Sequence, residues 1–272
     1  MKVAEKVAIV TGGGNGIGAA LAAKLAHQDA RVVVADINSQ AADAVASGIN
    51  ADRAGTAIAS GGDVSDTEHI KQLIALAENE FGPVDLYFAN AGITGVSGLD
   101  VTEDEWDQSI DVNLRAHIRA AQLLVPGWVE RGEGYFVSTA SAAGLLTQLG
   151  SATYSVTKHA AVGFAEWLNI TFGDQGVRVS CLCPMGVNTN LLHSPGESED
   201  PLARLATRAV TSAGDVIEPA DVADIVLAAV EEERFLILPH PAVLEMYRHK
   251  GADYDRWLRG MRRYQHSLME AL

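Results

Sequence analysis

The stretch Val7-Ala8-Ile9-Val10-Thr11-Gly12-Gly13-Gly14-Asn15-Gly16-Ile17-Gly18 runs an apolar strand directly into five glycines and then an alanine-rich helical segment. Glycine lets a chain turn tightly and bring its backbone close to a pyrophosphate, whose charge suits a helix N-terminus. Two spacings overlap here. Gly14, Gly16 and Ala19 fit the general dinucleotide pattern G-x-G-x-x-A, whereas Gly12, Gly16 and Gly18 fit G-x-x-x-G-x-G. A plain flexible loop is the bland reading, and the position between a strand and a helix argues against it.

Outward from this loop, short apolar runs alternate with helical segments. Val7–Val10, Arg31–Asp36, Thr56–Ala59, Val84–Ala89, Tyr135–Ser138, Arg178–Leu182 and Phe235–Leu238 read as strands. Between them, apolar residues recur three or four apart, as at Ile17, Leu21 and Leu25. Ser65 with Glu68 and Thr102 with Glu105 have capping-box spacing, and Pro219 suits a first helical position. The pattern predicts an α/β fold: a Rossmann-type, doubly wound parallel sheet of about seven strands with helices on both faces. Residues 1–239 form one such domain, with 189–216 inserted on the substrate side. Residues 240–272 read as a helical extension in which Trp257, Met261, Tyr264 and Leu268 share a face.

Composition narrows the function. The 272 residues carry a net charge of −15, which argues against nucleic-acid or anionic-membrane partners, because both need clustered Lys and Arg. Four apolar residues after Lys6 are too few for a signal peptide. The uncharged run Tyr135–Thr157 holds too many hydroxyl and amide side chains for a membrane span and reads as a site wall. Cys181 and Cys183, the only cysteines, share a strand face without a histidine at ligand spacing, so a buried apolar role is expected and no metal. A reducing, cytoplasmic setting follows. His193 and His240 are expected at the solvated surface, and His159 on a helix face.

Chemistry is concentrated in a few positions. Asp36 closes the second strand eighteen residues after Gly18, where an acid accepts from adenosine ribose hydroxyls and repels a 2′-phosphate. No Arg or Lys stands beside it, so NAD is expected rather than NADP. Tyr154 and Lys158 are four apart, on one helix face. Free tyrosine has a pKa of about 10, and bringing it near neutrality takes about 4 kcal/mol of phenolate stabilisation. The Lys158 ammonium and an oxidised nicotinamide are the two cations that would supply it. Ser141 lies just past the fifth strand, where its hydroxyl meets a substrate oxygen. Asn113 is a polar residue inside a helical segment, which fits a role such as holding a water. Asn90-Ala91-Gly92 and Asp63-Val64 end two further strands.

In these motifs and their order, the chain resembles the short-chain dehydrogenase/reductase family from Lys6 to about Pro239. The resemblance favours the Gly12, Gly16 and Gly18 spacing, with Asn15 and Ile17 in the same loop. It implies Tyr154 as general acid/base, Lys158 as its pKa modifier and a ribose ligand, Ser141 orienting the substrate oxygen, and Asn113 supporting a water. It also implies cofactor contacts from Asp63, Val64, Asn90, Ala91, Gly92, Pro184, Gly186, Val187 and Thr189. One position departs: Met185 follows Pro184 where the family usually has Gly. Leu146, Leu149, Met185, Leu191 and Leu192 flank the catalytic motifs and point to a small-molecule secondary alcohol or ketone of bulky or lipophilic character. A noncatalytic NAD-binding regulator and a dehydration or epimerisation chemistry are the alternatives; the first should lack Tyr154, Lys158 or Ser141. A homo-oligomer is implied, commonly a tetramer, with a dimer as the other option. The tail would then pack either on its own subunit or across a neighbour.

Overall fold

The computed structural model describes residues 1–271. In chain order the main elements are β1 (Val7–Thr11), α1 (Gly16–His27), β2 (Arg31–Asp36), α2 (Ser39–Asp52), β3 (Ala57–Gly61), α3 (Thr67–Glu80) and β4 (Leu86–Ala89). Then come α4 (Glu103–Ile110), a π-helical turn at Asp111–Arg115, α5 (Ala116–Arg131), β5 (Gly134–Thr139), α6 (Ala143–Leu146), α7 (Ala152–Phe172) and β6 (Val177–Leu182). The rest is β7 (Gly186–Val187), α8 (Asn190–His193), α9 (Pro201–Thr211), β8 (Val216–Ile217), α10 (Pro219–Glu231), β9 (Leu236–Ile237), α11 (Ala242–Ala252) and α12 (Tyr254–Met269).

Seven parallel strands form one sheet in the order β3-β2-β1-β4-β5-β6-β9. Val10 pairs with Val34 on one side and Phe88 on the other, so order reverses at β1, and a crevice opens between the carboxyl ends of β1 and β4. Strands β1, β4 and β5 are buried throughout, because helices cover both faces. One apolar layer joins Ile9, Tyr87 and Phe136 to Leu73, Leu124 and Leu168 of α3, α5 and α7. The other joins Val10, Val34 and Val137 to Leu21 of α1 and Val226 of α10.

Local signals behave unevenly. Thr102 and Glu105 make the expected reciprocal capping box at α4, and Pro219 opens α10. Ser65 does not cap α3. Asp63 Oδ1 accepts from the Ser65 N–H at 2.8 Å, the chain turns there, and Asp66 becomes the cap, accepting from Glu68 N at 2.9 Å.

Two features lie outside the expected sheet. β7 and β8 pair with each other in parallel, closing the neck of the inserted segment. Within that segment α9 is amphipathic and buries Leu205 and Ala209 against Leu268 of α12. The extension therefore packs on its own chain, while Tyr254 and Leu258 stay exposed. Trp167 and Ile170 are exposed on α7. Among the described residues, no helix is long and apolar enough to cross a membrane.

Candidate active site

The glycine loop needs its glycines for reasons the geometry makes plain. Gly16 holds φ at +53°, and a Cβ on Gly18 would lie 2.0 Å from the Gly12 carbonyl oxygen. Any larger residue at 18 would therefore push α1 off the loop. Gly12 also holds a positive φ, +62°, so each glycine of the second spacing occupies a position that a side chain would strain. The first N–H groups of α1 remain without side-chain partners at its cap, Asn15, which suits an anionic group there. Asp36 sits beside the loop: its Oδ2 accepts from Gly14 N and its Oδ1 from Asn38 N, both at 2.9 Å.

The floor of the crevice is a threonine and asparagine lattice. Thr11 Oγ1 donates to the Phe88 carbonyl and accepts from the N–H groups of Asn90 and Ala91. Asn90 Nδ2 returns to the Thr11 carbonyl at 3.0 Å, and its Oδ1 accepts from Thr139 Oγ1 at 3.2 Å. Three strand ends, β1, β4 and β5, are thereby locked in one plane under the opening. Thr139 is absent from the sequence reading, although its place at the end of a buried strand marked it.

Tyr154 and Lys158 rise from the first turns of α7, which Ser151 caps by accepting from Tyr154 N at 3.3 Å. Lys158 is 3 % exposed; its Nζ donates to the Thr139 carbonyl at 3.0 Å and stands 5.6 Å from the Tyr154 ring centroid. Burial pushes the Lys158 ammonium down to about 8. Burial also pushes the Tyr154 phenol up, and the Ser141 hydroxyl beside it pulls the other way. The phenol therefore keeps its proton at neutral pH, and only further positive charge beside it would favour the phenolate. Ser141 is buried and accepts from Ala143 N at 3.1 Å, which fixes its hydroxyl at the end of β5.

Asn113 has no exposure at all and lies in the π-helical turn, a form that recurs at functional positions. Its Oδ1 accepts from Ile93 N and its Nδ2 donates to the Ile93 carbonyl, each at 2.9 Å, with a further bond to Thr157 Oγ1 at 3.2 Å. The side chain thus clamps Ile93 against α7.

Most of the expected residues line one cavity of about 620 Å3. Gly12, Asn15, Gly16, Ile17 and Asp36 form one end, and Asn90, Ala91 and Gly92 the floor. Ser141, Tyr154 and Lys158 form the other end, under Pro184, Met185, Val187 and Thr189. Gly18, Asn113 and Gly186 support it without lining it. Asp63 and Val64 are not among its lining residues: β3 stops at Gly61, and Asp63 Oδ1 accepts from Ser65 N in the turn before α3.

His240 is not at the solvated surface. It is 5 % exposed and brackets the loop after β6, accepting from Met185 N at 3.1 Å through Nδ1 and donating to the Gly186 carbonyl at 3.0 Å through Nε2. That arrangement requires the neutral ring. A histidine from the extension thus fixes the peptide that the unusual Met185 occupies. Cys181 and Cys183 are buried, with their sulfurs 3.8 Å apart. Among the described residues, no cluster of three or more His, Cys, Asp or Glu could hold a metal ion.

The site and fold describe a dehydrogenase of the Rossmann type, and residues 6–200 match the family model for short chain dehydrogenases. The chain belongs to that family and is an oxidoreductase of it. It is 33 % identical over 238 residues to the cyclohexanol dehydrogenase of Acinetobacter sp. strain SE19, covering 85 % of this chain and 90 % of that one. The 1-deoxy-11-beta-hydroxypentalenate dehydrogenase of Streptomyces exfoliatus is also 33 % identical, covering 87 % and 84 %. A short chain dehydrogenase/reductase from Burkholderia phymatum in complex with NAD superposes with a TM-score of 0.85 at 30 % identity, covering 94 % of this chain and 96 % of that one.

Proposed function

We propose that the protein is an NAD-dependent dehydrogenase of secondary alcohols, and the matching carbonyl reductase in reverse. The observation that carries this reading is one cavity with an anion-accepting glycine loop and Asp36 at one end and Ser141, Tyr154 and Lys158 at the other. The cradle fits a dinucleotide: α1 offers its N–H groups to a pyrophosphate, and Asp36 keeps lone pairs for ribose hydroxyls. Bound there, NAD supplies the acceptor for the hydride that leaves the carbinol carbon.

The chain's own residues handle the proton and the oxygen. Ser141 donates to the substrate oxygen and orients it toward Tyr154. The Tyr154 phenolate takes the hydroxyl proton as the carbonyl forms, and returns it in the reductive direction. Lys158 holds the phenolate by charge, from below the ring. Asn113 keeps the Gly92–Ile93 backbone and Thr157 in place on the floor, and so positions Lys158 indirectly. The named substrates of the two relatives are cyclic molecules, which supports a ring-bearing secondary alcohol here.

The test is NADH formation from cyclohexanol, followed spectrophotometrically with wild type and Tyr154→Phe. Wild type turns over, and the variant loses at least about 100-fold in rate while binding NADH with near-normal affinity. Undiminished turnover in Tyr154→Phe would overturn the assignment of the base.

A further inference from the structure

A second chamber of about 330 Å3 adjoins the main cavity and shares three lining residues with it: Gln148, Met185 and Val210. Leu146 and Leu149 line it from the catalytic side; Trp257, Met261 and Tyr264 of α12 line it from the other. Its lining is mainly apolar, and several of its polar groups are already paired within the protein. Tyr264 Oη donates to the Ala209 carbonyl at 3.1 Å and meets Ser212 Oγ at 2.8 Å. Gln148 Nε2 donates to the carbonyls of Ala206 and Leu149. Most of the surface open to a ligand is hydrocarbon, indole and thioether, with the Gln148 amide oxygen, the Thr147 hydroxyl and the Trp257 N–H as the polar exceptions.

Met185 stands at the junction. Its terminal methyl lies so close to Gly214 that a Cβ there would be 2.5 Å away, so the thioether rests on bare backbone. The His240 clamp fixes its main chain, while the side chain has three rotatable bonds and no branch. A glycine at this position would leave the two chambers undivided. The methionine makes a partition that a rotamer change moves.

We propose that this chamber is a subsite for the apolar substituent of the substrate, entered past Met185 and walled by the C-terminal helix. The substrate class is then a secondary alcohol or ketone bearing an alkyl or ring substituent on the side of the carbinol that faces Met185. The proposal rests on the dehydrogenase reading above and extends it to substrate choice. The C-terminal extension contributes the whole outer wall, so α12 is a specificity element and not only a brace for α9.

The experiment is a series of 4-alkylcyclohexanols, from unsubstituted to heptyl, oxidised by wild type, Met261→Trp and Met261→Gln. In wild type, kcat/KM climbs by roughly three- to fourfold per methylene while the substituent fills the chamber. Met261→Trp fills the space and Met261→Gln makes it polar at similar volume. Both flatten the climb and keep the cyclohexanol rate. A flat series in wild type, or an equal climb in both variants, overturns the subsite. If no alcohol is oxidised, the dehydrogenase reading fails separately, and calorimetric titration with 4-hexylphenol decides the chamber: binding that Met261→Trp weakens at least tenfold supports it, and equal or absent binding overturns it.

Discussion

The floor of the cavity and its substrate end are built from different materials. The floor is backbone and polar side chains, most of them buried: Thr11, Asn90, Thr139, Asn113 and Lys158 belong to a lattice joining three strand ends and two helices. The substrate end is half-exposed apolar side chains on short helices, with Leu191 43 % exposed and the neck held by two-residue strands. A lattice of directional bonds has one solution, because each buried donor left unmet costs about 1–3 kcal/mol. An apolar wall has many, because contact is non-directional and Met and Leu exchange at little cost. The chemistry therefore sits on the rigid end, and the choice of substrate on the adaptable one.

The largest effect that would test this division is at Lys158. Lys158→Met should cut kcat/KM by about 1000-fold, since it removes charge from beneath the phenolate. It should not unfold the protein. Burial depresses the Lys158 pKa from 10.5 to about 8, so at pH 7 the fold carries the charge at an expense that methionine avoids. A melting temperature at or above that of wild type is expected. A large drop would make Lys158 a structural member of the lattice first and a catalytic one second.

A smaller effect is expected at Asp36, whose carboxylate holds the loop and, in the proposed function, also meets the cofactor. Asp36→Asn keeps an acceptor for the Gly14 N–H and removes the charge that meets a 2′-phosphate. The preference for NAD over NADP in kcat/KM should shrink by roughly 100-fold, with the alkyl-chain dependence untouched. A preference that stays constant would remove Asp36 from cofactor choice.

The same contrast explains what could be read from the residues alone. The sheet was legible, and so was the gathering of Gly12, Gly16, Asp36, Ser141, Tyr154 and Lys158 at one cavity with Gly18 behind it, because strict geometry admits few residue types and leaves a spaced pattern. The Met185 loop was legible only as a departure. His240 was not legible: a lone histidine has no spacing, and its partners Met185 and Gly186 lie more than fifty residues away. Asp63 was legible only as a polar residue near a strand end, where a turn former and a ligand look alike, and the turn it makes through Oδ1 carried no separate signal. Leu146, Leu149, Leu191 and Leu192 were recognised as flanking the site, but apolar residues carry no signal that divides one cavity from two. Asn113 stood out as a polar residue in a helix, whereas its partners Ile93 and Thr157 carry no spacing that would show the clamp.

His117 gives the smallest effect and bears on the rigid end alone. It lies between α5 and β5, 1 % exposed, with Nδ1 3.0 Å from Ser138 Oγ and Nε2 buried without a partner. Burial, and after it the charge of Lys158, push its pKa down to about 3. An unfolded histidine titrates near 6.5, so between these values the unfolded chain holds the extra proton. Stability from this group is fully present above about pH 6.5 and is lost as pH falls toward 3. Between pH 7 and pH 5 the loss is about 2 kcal/mol. Denaturant unfolding at both pH values, in wild type and His117→Gln, isolates it: glutamine keeps a polar group near Ser138 and does not titrate. The wild-type difference should exceed the variant's by that amount, while Met261→Gln, at the adaptable end, should follow wild type. Parallel losses in wild type and His117→Gln would mean that His117 is hydrated or paired in solution. The lattice under the catalytic residues would then be less closed than its geometry implies.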